Sequence, residues 1–191
     1  VDILDRDAFE KELNELGSLR AKADAIRTRL AKSINTKYQE NPAYYENFSK
    51  RIKEALELYK ARTITEAEYL AKMRDILEDY RTGKSAIAYP DRIRANVHAQ
   101  AFYGVLTAIF SNEKLSVEPD FAAEMALDIT TIIEKHSQVD WTHNLTIHDR
   151  ISQDIDDLFY RYQKEMGLVL SFDVIDMIIE NVKTVALRRF A

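Results

Sequence analysis

Gly83-Lys84-Ser85 has the residue types that close a phosphate-binding loop, in which backbone amides cradle phosphates, lysine reaches their oxygens and the hydroxyl meets magnesium. That loop also needs a glycine five positions earlier, where this chain has Glu78, and a setting between a strand and a helix. Here the tripeptide closes a helical pattern, so carbonyls rather than amides would face an anion. Divalent-metal nucleases pair an aspartate with a later Glu-x-Lys, the acids holding the metal and the lysine polarising the attacking water. Asp91 and Asp120, each after a proline, are the candidate acids, but no glutamate has lysine two positions on. Both Pro-Asp pairs read as helix starts.

The four histidines, His98, His136, His143 and His148, contain no HExxH and no pair four apart. Asp140 with His143 and His148 is the best metal constellation, and its spacing is loose. His98 fits a helix side, and His136 a helix C-terminus, where a cation suits the dipole. Asp149, Asp154, Asp156 and Asp157 lack the spacing and turn glycine of a calcium loop and read as a solvated helix face. No G-x-S-x-G elbow occurs, and without cysteine there is no thiol nucleophile. No catalytic, cofactor-binding or metal-ligating residue is therefore assigned. The lone tryptophan, Trp141, either anchors its loop in the core or fills a partner's pocket.

One charge pattern stands out. Arg20, Lys22, Arg27, Arg29, Lys32 and Lys37 have only Asp24 among them as counter-charge, an excess that could meet phosphates or an acidic partner, although no aromatic residue interleaves to stack on bases. Residues 1–62 carry 13 basic and 11 acidic groups, residues 105–191 carry 8 and 15, and the whole chain has net charge −5. The acidic half is a poor surface for DNA.

Four glycines and three prolines in 191 residues leave too few turns for a sandwich or barrel, and 46% apolar residues can fill a core. The expected fold is all-α: an irregular multi-helix bundle of about seven helices with a long N-terminal helix. Apolar steps of three and four at Leu16, Leu19, Ala23, Ile26 and Leu30 predict one helix over residues 5–40, about 50 Å long at 1.5 Å per residue. A helix longer than its globule should lay part of its stripe on a neighbouring domain, so the chain divides into a linking helix, residues 1–40, and a helical domain, residues 41–191.

Further helices follow from Asn41-Pro42 to about Arg62 and from a Thr65/Glu68 capping box to Gly83, antiparallel to each other. Others run from Pro90 to Phe110, Pro119 to His136, Leu145 to Met166 closed by Gly167, and Phe172 to Phe190. The absence of cysteine fits a reducing compartment, with the cytoplasm as default, and no apolar run reaches the roughly 18 residues of a membrane span. A start without methionine that enters helical pattern at once suggests a piece of a longer chain.

Four stretches, taken in order, resemble a known family. Asn41-Pro42-Ala43-Tyr44-Tyr45-Glu46-Asn47-Phe48-Ser49-Lys50-Arg51-Ile52 is similar to the entry into the C-terminal helical domain of the restriction subunit of type I restriction-modification enzymes, and Ile64 to Leu70 resembles its next helix start. Ala101-Phe102-Tyr103-Gly104-Val105-Leu106 resembles the family's Ala-Phe-Tyr-x-x-Leu, and Val139-Asp140-Trp141 with Arg150-Ile151 and Arg161-Tyr162 its late segment. The chain lacks the family's acidic run before Ala-Phe-Tyr and its prolines after the late basic-Tyr pair.

The resemblance implies a parent enzyme with an upstream nuclease and an ATP-driven DNA translocase, using ATP and magnesium that this segment does not itself bind. It also implies that this domain packs on the motor and docks the subunit onto the methyltransferase and specificity subunits, with Phe102, Tyr103, Asp140 and Trp141 as interface candidates. A direct DNA contact through the basic face of residues 20–37 is the alternative. No membrane contact is expected.

Overall fold

The computed structural model describes residues 1–191 and contains eight α-helices and no strand, an all-α fold. Two compact units divide the chain: Val1–Tyr38 with Tyr44–Ile87, and Gln39–Ala43 with Ala88–Ala191. The expected division after residue 40 differs from this, because the next two helices share a core with residues 1–38.

In the first unit the long N-terminal helix is broken. Helix α1 spans Arg6–Asn14, capped by Asp5, whose carboxylate accepts from the Ala8 amide at 3.1 Å. Helix α2, Leu19–Lys37, starts afresh at Ser18, which has an extended backbone and accepts from the Ala21 amide at 3.0 Å. Glycine weakens a helix, and a following serine offers the backbone a competing hydrogen bond, so Gly17-Ser18 ends one helix and begins the next. The break lets α1 turn back, and Phe9 and Leu13 are buried in the same core as Ile26, Leu30 and Ile34.

The stripe of α2 therefore needs no outside partner: Ala23, Ile26 and Leu30 are fully enclosed, and helix α4, Glu66–Thr82, packs along it. Helix α3, Pro42–Lys60, is antiparallel to α4, since Arg51 meets Asp79 at 2.8 Å whereas Tyr59, two turns on, stacks on Tyr69 at 4.6 Å. The Thr65/Glu68 capping box forms as expected. Gly83, at φ 73°, ends α4 in the left-handed conformation that glycine adopts at little cost.

The second unit is a four-helix arrangement of α5, Val97–Asn112, α6, Pro119–His136, α7, Leu145–Met166, and α8, Phe172–Arg189. Helices α5 and α7 each pack against both α6 and α8, which closes the bundle. The predicted start at Pro90 is corrected: Asp91–Ile93 makes one 3-10 turn, and α5 begins only after Asn96, whose side chain accepts from the Ala99 amide at 3.0 Å. Pro90 suits either first turn, but a short polar cap three residues before a free amide resets the helix. Val97 is consequently exposed on the first turn of α5.

Candidate partner-docking site

The chemistry-bearing residues are mostly occupied in holding helices together. Arg29 bonds Glu12 of α1 and the Val1 carbonyl, and Arg27 and Arg20 both approach Asp24 at 3.6 Å. Folding α1 back thus adds a counter-charge that the spacing along α2 did not reveal. Of the six cations, Arg20 and Lys32 are exposed, while Lys22, Arg27, Arg29 and Lys37 are half-buried.

His98 and Arg189 meet at 2.9 Å, Arg189 Nε donating to His98 Nδ1, and the ring lies 4.3 Å from Phe190. His136 Nε2 lies 2.6 Å from Asp154. His148 packs on Trp141, His143 is exposed, and Asp140 joins neither in a cluster that could hold a metal. Gly83-Lys84-Ser85 sits at the C-terminal end of α4, as its place in the helical pattern indicated.

The four interface candidates separate. Phe102 is fully buried in the core of the second unit, 6.4 Å from Phe190 in a near-parallel stack. Trp141 is only 2% exposed and its indole N–H donates to the Phe190 carbonyl at 2.8 Å, so of its two readings the loop anchor is the one realised. Asp140 is exposed, in the left-handed region at φ 59°, where it turns the chain into the Trp141 3-10 turn. Gly104 has a local reason to be glycine: a Cβ there would lie 2.7 Å from the Cβ of Ala43, so its absence lets residues 39–43 lie on α5.

Tyr103 remains, and it lines an open cleft of about 790 Å³. Residues 88–92 form one wall, the start of α6 another, and Met166 at the end of α7 a third. Tyr89 and Tyr103 meet edge to face at 6.0 Å, and Phe121 packs edge-on against Tyr162 at 5.3 Å, which fixes the aromatic walls. The rim is acidic: Glu118, Asp120 and Glu124 face a single cation, Arg92, which lies 3.9 Å from Glu124. Burial and the nearby Asp120 charge raise the Tyr103 pKa; burial raises that of Tyr89 as well. Both phenols therefore stay protonated donors at neutral pH. Tyr103 is legible in the sequence through its motif, whereas the walls of the cleft come from four separated segments.

Residues 1–186 match the family model of the C-terminal region of type I restriction enzyme HindI endonuclease subunit-like proteins. The chain belongs to this family. Among curated proteins, the type I restriction enzyme HindI endonuclease subunit of Haemophilus influenzae is 25% identical over 127 residues, which covers 66% of this chain and 12% of that protein. The chain thus spans about an eighth of the length of this relative. No solved structure matches. The resemblance carried by the Asn41, Phe102 and Trp141 stretches and the family match agree on the C-terminal region of type I restriction endonuclease subunits. No helix is long and apolar enough to cross a membrane.

Proposed function

We propose that this chain is the non-catalytic assembly domain of a type I restriction endonuclease subunit, docking that subunit onto the methyltransferase and specificity subunits and packing on the ATP-driven translocase upstream. The observation that carries this reading is the family match over residues 1–186, a region named for its C-terminal place in such a subunit. The use of titratable side chains supports it, because Arg6, Arg29, Arg51, Arg74, His98 and His136 are bound into helix-to-helix ties. On this reading the parent enzyme hydrolyses ATP with magnesium and cuts DNA through domains elsewhere in the polypeptide, in the cytoplasm.

The test compares the full-length endonuclease subunit with a truncation lacking this region, each mixed with the methyltransferase and specificity subunits and followed by size-exclusion chromatography with light scattering. The truncation should lose the complex while keeping DNA-stimulated ATPase activity; a truncation that still assembles refutes the docking role.

Direct DNA contact through residues 20–37 is the weaker reading, favoured only by the exposure of Arg20 and Lys32. It predicts duplex binding by fluorescence anisotropy that weakens steeply with salt, with a shallower slope once Arg20 and Lys32 are alanine. Absence of binding at low salt excludes it.

A further inference from the structure

We propose that the cleft lined by Tyr89, Tyr103, Phe121 and Met166 is the groove into which another subunit of the restriction complex inserts a short segment bearing bulky apolar side chains beside lysine or arginine. The proposal rests on the assembly reading and adds the place and chemistry of the contact.

Three properties select this occupant. The walls are aromatic, with prolines at positions 90 and 119 and a methionine that is 56% exposed, the composition that gains most when a partner's apolar side chain displaces water. An open groove of about 790 Å³ has room for several side chains of a peptide segment.

The rim charges are of one predominant sign. Glu118, Asp120 and Glu124 outnumber Arg92 three to one, so a segment with flanking cations gains steering and register, and an acidic one is repelled. The α6 amino terminus, which elsewhere would attract an anion, already has Glu118 and Asp120 beside it, so a phosphate or nucleic-acid backbone is disfavoured at the same place. No buried polar atom lining the cleft lacks a partner, as an enclosed polar small-molecule site would tend to show.

The experiment places the photo-crosslinking residue p-benzoylphenylalanine at Met166 of the full-length endonuclease subunit, irradiates it with the methyltransferase and specificity subunits, and identifies the linked peptide by mass spectrometry. The expected product joins position 166 to a segment of another subunit with lysine or arginine next to a large apolar residue. In parallel, the double variant Glu118→Lys/Asp120→Lys should weaken assembly at least tenfold at low salt, and Asp156→Lys/Asp173→Lys, on exposed turns of α7 and α8, should leave it unchanged; circular dichroism checks that both variants fold.

Crosslinks confined to the upstream part of the same chain, to a second copy of it, or absent altogether overturn the proposal, as does assembly by the Glu118/Asp120 variant at the wild-type level. If the truncation above abolishes assembly while position 166 links to nothing, the assembly reading stands and the cleft is the wrong place. If the truncation assembles, the assembly reading fails, and the cleft proposal, which rests on it, fails with it.

Discussion

The two units solve the same problem, holding four helices in register, with different chemistry. The first carries 17 basic and 15 acidic residues. It ties helices distant in sequence through arginine and carboxylate: Arg6 with Glu78, Arg74 with Glu10, Arg51 with Asp79. The second carries 10 basic and 17 acidic residues and relies on apolar contact, with Phe102, Trp141 and Phe190 joining α5, the 141–143 turn and the end of α8. Ion pairs between half-exposed side chains are worth about 0–1 kcal/mol each, whereas a large buried aromatic side chain is worth about 3–5 kcal/mol. The first unit thus adds salt-sensitive arginine pairs to a core that encloses Phe9, Phe48 and Tyr69; the second has its aromatic anchor where Phe102, Trp141 and Phe190 meet.

The sharpest way to break this contrast is at Trp141. Replacing it with alanine removes a buried ring and leaves the Phe190 carbonyl without its donor, so urea unfolding followed by circular dichroism should show a loss of about 3–5 kcal/mol. A loss below about 1 kcal/mol would mean that the second unit does not depend on this anchor.

Gly104→Ala tests a smaller and opposed pair of effects. Alanine gains about 1 kcal/mol in helix propensity, but its methyl would sit 2.7 Å from the Ala43 methyl, and overpacking costs about 1–3 kcal/mol. Neither methyl can rotate away, so the net change should be a loss of about 1 kcal/mol, relieved in the double variant Ala43→Gly/Gly104→Ala. An unrelieved loss would place the cause elsewhere.

The same contrast explains what was legible in the sequence. The bounds of α6 and α7 could be read because Pro119, Asn144 and Gly167 are local signals that act through the backbone of their own helix. The break at Gly17-Ser18 was hidden because Leu16 and Leu19 carry the apolar spacing straight through it, and because Ala21, three residues after Ser18, cannot complete a capping box. Asn96 was the available signal for the late start of α5; the earlier Pro90 masked it. The Glu12 partner of Arg29 and the walls of the cleft are tertiary facts, made by residues far apart in the chain, and no period of 3.6 encodes them. Phe102 and Trp141 stood out as motif residues, but a motif alone does not distinguish a core anchor from a docking contact.

A pH titration probes the one charged tie in the second unit's aromatic corner. Burial first, and the Arg189 cation second, lower the His98 pKa below its ordinary value, with Glu134 opposing them in part. The folded protein therefore holds fewer protons than the unfolded chain, and the contribution is complete above about pH 6.5 and lost as pH falls through the folded-state value. Tryptophan fluorescence, which reports Trp141 as the chain's single tryptophan, should show urea stability declining from pH 7 to pH 5 with a steeper slope in the wild type than in His98→Gln. Equal slopes would assign the acid sensitivity to other groups.

The smallest expected effect is also the one that distinguishes the units best. Arg74→Met removes the guanidinium that bonds Glu10 but keeps an apolar stem of similar reach. Because both partners are more than a third exposed, solvent screens the pair and its loss should cost less than about 1 kcal/mol at low salt. At about 1 M sodium chloride, where the screening length falls to about 3 Å, wild type and variant should become equally stable. The cost of Trp141→Ala should persist at that salt concentration, since burial and a 2.8 Å hydrogen bond are not screened. A salt-insensitive loss at Arg74 would mean that its stem, packed against the first unit's core, matters more than its charge, and the two units would then differ less than their ion pairs suggest.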